Sequence, residues 1–208
     1  NNLEPEIYSF NLLKAFMEAA GKLALTDYPI HVKIDTGMHR LGFDAEEVDG
    51  LIELLKSENQ VKVRSVFSHL AGADEPRLDD FTRQQVGVLN TCADKFSKAF
   101  PHRILKHILN SAGTERFPEF QFDMVRLGIG HYGISALPEV KLRQVCALKT
   151  IVLQLKKVKA GETVGYSRNG IATEDKLIAM LPIGYADGYN RKLGNGLGEV
   201  LVKGKRAK

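Results

Sequence analysis

Charged and hydroxyl-bearing residues recur where the segments predicted to be strands end. Lys33 and Arg40 lie in the motif HVKIDTGMHRLGF, around the end of one such segment, and His69 ends the next in VFSHLAGADEP. Ser111 follows a third, and Arg126 ends a fourth in DMVRLGIGHYG. Barrels of alternating strands and helices build their active sites at the carboxyl ends of the strands. Four successive polar ends favour one shared site over surface charges that cap separate strands.

The glycine-rich string GIGHYG, residues 128–133, supplies a second chemical signal. It formally fits the dinucleotide motif GxGxxG, but that motif must open a helix, and here ISALPE follows with Pro138. Glycines also let backbone N–H groups approach phosphate oxygens closely. A phosphate loop and a tight structural turn both explain the spacing, so both remain open.

The elements that must position these residues alternate between helical and strand periods up to about Ser135, which is typical of a parallel sheet in an α/β protein. Three helical faces and three apolar strand segments carry this alternation. The predicted strands are 30–34, 61–67 and 103–109. The predicted helices carry Ile7, Phe10, Leu13 and Met17; Asp44 and Glu47 as a capping box before Val48, Leu51, Ile52 and Leu55; and Phe81, Gln85, Val88, Leu89, Cys92 and Phe96.

After Val140 the pattern changes to strand candidates without helices between them. These candidates are residues 145–158, 176–184 and 199–202. We therefore predict an all-β second domain, with the boundary near Pro138, so that the domains are residues 1–138 and 139–208.

The composition excludes several classes of protein. The chain has 208 residues, 44% hydrophobic and 26% charged, which indicates a globular protein. No run approaches the roughly 18 apolar residues of a membrane span, and we expect a cytoplasmic protein that does not act at a membrane. The net charge of +4 is modest, so we expect no nucleic-acid partner. Cys92 and Cys146 are predicted to be core thiols, and the histidine spacing predicts no metal site.

Five motifs in order resemble those of the alanine racemases. They are HVKIDTGMHRLGF, FSHLAGADEP, NSAGTERFPEFQFDMVRLGIGHYGI, VGYSRNG and LPIGYADGYNR. The resemblance implies a (β/α)8 barrel of the TIM type that holds pyridoxal 5'-phosphate, a following β-domain, and a homodimer with shared active sites. A whole barrel needs about 250 residues. We therefore expect residues 1–138 to be the C-terminal half of the barrel and residues 139–208 the first part of the β-domain, with the chain truncated at both ends.

The resemblance also assigns roles to residues that the motifs contain. Tyr166 matches the family's tyrosine base, which reaches in from the partner subunit. Arg40 matches the arginine that binds the substrate carboxylate, and Tyr185 matches a tyrosine at the substrate entrance. From spacing alone, both tyrosines also fit core or interface packing.

The cofactor residues implied by the resemblance are His69, Ser111, Arg126, Gly128 and Ile129. Ser111 would bind the phosphate with its hydroxyl, and Gly128 and Ile129 with backbone N–H groups. Arg126 would face the pyridine nitrogen, where a permanently charged guanidinium discourages protonation of the ring.

Lys33 matches a lysine that carries a carbamate in many relatives, so the resemblance makes it a candidate for carbamylation. The family's Schiff-base lysine lies in a motif of the type VKANAYGHG, which does not occur in this sequence. We therefore expect this polypeptide by itself to be inactive, while the parent racemises alanine by a two-base mechanism on a Schiff base and supplies D-alanine for peptidoglycan. A non-catalytic scaffold of the same fold, or a racemase of another small amino acid such as serine, is the alternative.

Overall fold

The computed structural model describes residues 3–208, which divide into two compact units. The first unit ends at Cys146 and the second is Ala147–Lys208. Our boundary near Pro138 stays a prediction about domain organisation, and we describe each unit by itself. In the described residues no helix is both long enough and apolar enough to cross a membrane.

The first unit contains one four-stranded parallel sheet with the strand order β1-β2-β3-β4. Its helices fill the connections between strands, as a βα alternation requires. The strands are β1 (Glu6–Ile7), β2 (Tyr28–Lys33), β3 (Val61–Phe67) and β4 (Leu105–His107). The helices are α1 (Phe10–Lys22), α2 (Val48–Ser57), α3 (Asp79–Ala99) and α4 (Ser111–Arg116).

Local capping signals determine where the helices begin. The Ser9 side chain accepts a hydrogen bond from the Leu12 N–H at 3.3 Å and caps α1. Ile7, which we assigned to the same helical face, lies instead in β1 and pairs with Val32. That prediction was wrong because a strand of two residues is too short to show its own period.

The predicted capping box is present. The Asp44 N–H donates to the Glu47 carboxylate at 2.8 Å, and a 3-10 turn at Ala45–Glu47 leads into α2.

The core lies between the sheet and the helices. Alternate residues of β2 and β3, such as Ile30, Val32 and Val63, are almost fully buried, as are Leu51 and Leu89 from α2 and α3. Burial of each such side chain stabilises the fold by about 1.5–3 kcal/mol. Cys92 belongs to this core, as predicted.

The region after β4 differs from our prediction. The string NSAGTERFPEF forms α4 and a 3-10 turn at Pro118–Phe120. Asn110 caps α4, because its side chain accepts from the Gly113 N–H at 2.9 Å. The segment that ends at Arg126 forms no strand in the described structure. It runs beside β4 through sparse backbone bonds, including Arg126 N–H to Leu109 O at 3.0 Å.

The second unit contains paired antiparallel strands and short 3-10 turns. The pairs are β5 (Gln154–Val158) with β8 (Lys176–Met180), β6 (Thr163–Val164) with β7 (Gly170–Ile171), and β9 (Val200–Val202) with β10 (Lys205–Ala207). The long strand predicted from Val145 begins only at Gln154. Cys146, the last residue of the first unit, is exposed, so our core assignment for this thiol was wrong. The physical reason is that residues 145–153 form no strand whose buried face could include it.

Candidate functional site

The carboxyl edge of the parallel sheet gathers the predicted site residues of the first unit. Lys33 is the last residue of β2, and His69 comes just after the end of β3. Ser111 opens α4 after β4, and Arg126 reaches the same edge through its backbone bond to Leu109. In a parallel sheet these ends lie side by side. Among these residues, Arg126 contacts His69, and Arg126 and Lys33 lie over the same Phe67 ring.

The Arg126 guanidinium joins the ends of two strands. Its Nη2 donates to the carbonyl oxygens of Ser68 at 2.5 Å and Ile108 at 3.3 Å. Its Nη1 donates to Nδ1 of His107, and Nη2 lies 3.4 Å from Nδ1 of His69. Because these partners follow or end β3 and β4, the guanidinium has little freedom to turn away from the edge.

An aromatic ring supports the cations at this edge. The Arg126 Cζ lies 5.0 Å from the Phe67 ring centroid and the Lys33 Nζ lies 5.7 Å from it. The His107 ring stacks on the same phenyl ring, with centroids 4.7 Å apart. Positive charge above an aromatic face is favourable by about 0.5–2 kcal/mol. Phe67 therefore serves as a common platform for three polar side chains.

Glu6 is a functional candidate that the sequence analysis missed. Its Oε1 accepts from the Lys33 Nζ at 2.8 Å, and the Lys33 side chain is only 9% exposed. Glu6 lies in β1, next to Ile7, which we assigned to a helix. The helix cap at Ser9 was the signal that could have separated it from the helix.

Burial and positive neighbours keep the site histidines neutral. Burial, followed by the charge of Arg126, lowers the pKa of His107 to about 3. Burial, followed by the charges of Arg126, Arg40 and Lys33, lowers the pKa of His69. At neutral pH both imidazoles therefore have a bare nitrogen that can accept a hydrogen bond from the guanidinium.

Arg40 lies in an exposed loop that Asp35 organises. The Asp35 Oδ1 accepts from the backbone N–H groups of Gly37 at 2.8 Å and His39 at 3.1 Å. Burial raises the pKa of Asp35, but the backbone hydrogen bonds and the charge of His39 together lower it by more. The net effect is a pKa below the usual value. The charged carboxylate therefore persists well below neutral pH and holds the turn that carries Arg40.

The same loop returns to the end of β2 at Phe43. The Phe43 N–H donates to Lys33 O and its carbonyl accepts from the Asp35 N–H, both at 2.9 Å. Gly42 has a φ of +138°, and a Cβ there would lie 2.4 Å from the Asp35 nitrogen and 2.7 Å from the Ile34 carbonyl carbon. The close return of the chain therefore requires glycine at this position.

Gln85, a fully buried residue of α3, connects two of the site loops. Its Nε2 donates to the Thr36 hydroxyl at 3.1 Å and to His69 O at 3.2 Å, and its Oε1 accepts from the Ala71 N–H at 3.0 Å. From the sequence we placed Gln85 only on a helical face. Its partners are far away along the chain, so spacing could not reveal this role.

The glycine string forms a neutral cradle around a hydroxyl. The Ser111 Oγ accepts from the N–H groups of Gly128 at 2.9 Å and Gly130 at 3.1 Å. A Cβ at Gly130 would lie 3.3 Å from the same Oγ, so a side chain would crowd the cradle. Two backbone N–H groups that converge on one oxygen in this way also suit an anionic oxygen. Ile129 begins the 3-10 turn that shapes the loop.

Tyr166 and Tyr185 lie in the second unit. The Tyr166 ring is 99% exposed, and the next two residues, Ser167 and Arg168, have φ values of 55° and 56°. Tyr185 is 72% exposed, and the Arg191 Cζ lies 5.6 Å from its ring centroid. Within its own unit each phenol is available for contacts, and the positive φ values show that the Tyr166 turn is strained.

Comparison with known proteins shows which family this chain belongs to. Residues 1–136 match the family model described as alanine racemase, N-terminal domain, and residues 145–208 match alanine racemase, C-terminal domain. The chain belongs to the alanine racemase family. The predicted fold class is confirmed with it: part of a TIM-type barrel followed by a β-domain.

Three relatives illustrate the likeness to other alanine racemases. An alanine racemase of Carboxydothermus hydrogenoformans is 39% identical over 99% of this chain and 56% of its own length. A solved alanine racemase of Clostridium difficile has a TM-score of 0.86 and 32% identity, over 98% of this chain and 54% of that chain. One from Bartonella henselae, solved with covalently bound pyridoxal phosphate, has a TM-score of 0.78 and 26% identity over 99% of this chain and 55% of that chain. This chain thus spans about half the length of the alanine racemases that it matches.

Proposed function

We propose that the complete reading frame encoding this sequence interconverts L-alanine and D-alanine on pyridoxal 5'-phosphate by a two-base mechanism. Three features support the proposal: the family membership, the names of the relatives, and the cofactor in the Bartonella henselae structure. The observation that carries it is the Arg126 guanidinium, fixed at the carboxyl edge by two carbonyls and a neutral imidazole.

The residues at this edge fit the proposed cofactor. The cradle of Ser111 and Gly128 would hold the phosphate, with the adjoining Ile129 N–H as a further donor, because it offers a hydroxyl and neutral N–H groups. His69 and Arg126 would border the ring. When bound, pyridoxal phosphate withdraws electrons and makes the substrate α-proton removable.

Arg126 would determine which reaction the site favours. A guanidinium that stays protonated would oppose addition of a proton to a pyridine nitrogen placed beside it. Weaker electron withdrawal by the ring favours return of a proton to the same carbon, and therefore racemisation over transamination.

Tyr166 would be one base, and the lysine of a motif of the type VKANAYGHG would be the other. An unperturbed phenol titrates near 10, so it needs positive or hydrogen-bonding neighbours to accept a proton near neutral pH. His69 and Arg126 are proposed as those neighbours, with Tyr166 contributed by the partner subunit. The 208 residues contain no motif of the VKANAYGHG type, so we propose that they are inactive by themselves.

The remaining site residues would act on the substrate. Arg40 would bind the alanine carboxylate through paired N–H bonds, and Tyr185 would line the entrance. Lys33 would orient Arg40 if it carried a carbamate, although its ion pair with Glu6 competes with that modification.

The cellular setting follows from the proposed activity. We propose a cytoplasmic homodimer whose D-alanine enters peptidoglycan. Shared sites in a dimer would bring an exposed residue such as Tyr166 to a partner's barrel.

The test is to express the complete reading frame, titrate it with pyridoxal phosphate, and follow L-alanine by chiral chromatography. We expect racemisation that depends on the cofactor, and a loss of about 10²-fold or more in Arg126→Glu, as for removal of a preorganised charged group. Arg77→Glu, the same change at an exposed position, is the matched control. Preference for serine would indicate a different racemase, and cofactor binding without racemisation would favour the scaffold.

A further inference from the structure

A continuous chain of polar side chains crosses the sheet from Arg126 to a carboxylate. The His107 Nε2 lies 3.1 Å from the Ser65 Oγ, and that Oγ lies 2.6 Å from the His31 Nδ1. The His31 Nε2 lies 2.8 Å from the Glu4 Oε2. With Arg126 bound to His107 Nδ1, the chain links residues of β2, β3 and β4.

The direction of every hydrogen bond in this chain is determined at its Arg126 end. A guanidinium can only donate, so His107 Nδ1 must be bare and its proton must lie on Nε2. The Nε2–H group therefore donates to the Ser65 hydroxyl. Among the described contacts of that fully buried hydroxyl, the remaining acceptor is the bare Nδ1 of His31. His31 in turn carries its proton on Nε2 and donates it to Glu4.

We propose that Glu4, His31 and Ser65 are positioning residues that hold His107 in the Nε2–H tautomer and so keep Arg126 in place at the carboxyl edge. A carboxylate at one end and a guanidinium at the other favour the same direction of bonding, and aligned hydrogen bonds polarise one another. The effect on the reaction rests on the proposed function, whereas the tautomers do not.

Reversing the polarity of the far end tests the proposal with little risk to folding, because the Glu4 side chain is 39% exposed. In Glu4→Lys an ammonium that can only donate faces His31 Nε2. His31 then carries its proton on Nδ1 and donates to Ser65. The Ser65 hydroxyl must either lose its acceptor or donate to His107 Nε2, which conflicts with Arg126.

The measurement is ¹⁵N NMR of histidine side chains in the complete reading frame, with signals assigned by single histidine-to-glutamine variants. We expect Glu4→Lys to move His31 Nε2 from the N–H type to the bare type and to shift both His107 nitrogens. We also expect pyridoxal phosphate to bind about tenfold more weakly, equivalent to about 1.4 kcal/mol. Glu58→Lys, the same charge change at an exposed position after α2, should change neither.

Unchanged His107 signals in Glu4→Lys would overturn the proposal, whatever the activity. Shifted His107 signals with unchanged cofactor affinity would overturn its positioning role. If the parent binds no pyridoxal phosphate at all, the proposed function fails. The shift of the His107 signals then still decides whether the hydrogen bonds from Glu4 determine the tautomer of His107.

Discussion

Replacing the buried amide of Gln85 should loosen two loops of the site at once. Gln85→Leu keeps nearly the same volume, so the change removes hydrogen bonds and leaves only a small cavity. His69 O and the Ala71 N–H lose their partner, while the Thr36 hydroxyl keeps its 2.7 Å contact with Ser68. A buried polar group without a partner costs about 1–3 kcal/mol. Ala71 is exposed, so its N–H can bind water and costs less than the His69 carbonyl. We therefore expect the free energy of unfolding to fall by about 2–4 kcal/mol in total.

Urea unfolding of the complete reading frame, followed by circular dichroism, measures this loss as a lower midpoint at an unchanged slope. Gln84→Leu is the matched control, because Gln84 is the preceding residue of α3 and is exposed. The control should stay within about 0.5 kcal/mol of the parent. A Gln85→Leu variant as stable as the control would refute a role for the amide in holding the loops.

Three further predictions concern the site. The 208-residue polypeptide alone should give no stoichiometric pyridoxyl adduct at one lysine after borohydride reduction and peptide mapping, and an adduct on Lys33 would show that the anchor lies there. The pKa of His107 is about 3 in the folded protein against 6.5 when unfolded. Its contribution to stability is therefore full above pH 6.5 and is lost as the pH falls toward 3. Between pH 6.5 and 5 the free energy of unfolding should rise with pH, and His107→Gln should reduce that slope by up to about 1.4 kcal/mol per pH unit. Intact-protein mass spectrometry in bicarbonate should find little carbamate on Lys33 in the parent and more in Glu6→Gln, since a carbamate would have to displace the Glu6 carboxylate that accepts from the Lys33 Nζ at 2.8 Å; equal amounts in both would contradict this competition.

Local signals in the sequence predicted much of the fold. The capping box at Asp44 and Glu47 and the apolar periods of α2 and α3 involve residues close together along the chain, so they are visible without a structure. Ile7 and Cys146 were assigned wrongly because their segments carry apolar residues without forming the expected element. A hydrophobic pattern identifies which residues can be buried, but the neighbouring segments decide which are.

The candidate site was predictable only in outline. Strand ends indicated the edge where Lys33, His69 and Arg126 meet. The partners of these residues were not predictable, because Glu6 lies far from Lys33 in sequence and His107 had no motif of its own. Long-range hydrogen bonds of this kind depend on strand register, which spacing along one chain does not specify.

Hydrogen exchange with solvent tests most directly whether Tyr166 is one of two bases at a racemase site, as proposed. The complete reading frame and its Tyr166→Phe variant would be incubated with L-alanine and with D-alanine in D₂O, and deuterium at the α-carbon would be followed by NMR. The parent should exchange and racemise both enantiomers. In the variant, racemisation should slow by about 10²–10⁴-fold in both directions, while exchange persists mainly with D-alanine, whose proton would face the lysine. Tyr28→Phe, the same change at the start of β2, which is the end of the strand away from Lys33, should behave as the parent. Racemisation by Tyr166→Phe within a few-fold of the parent in both directions would contradict a role for Tyr166 as a base.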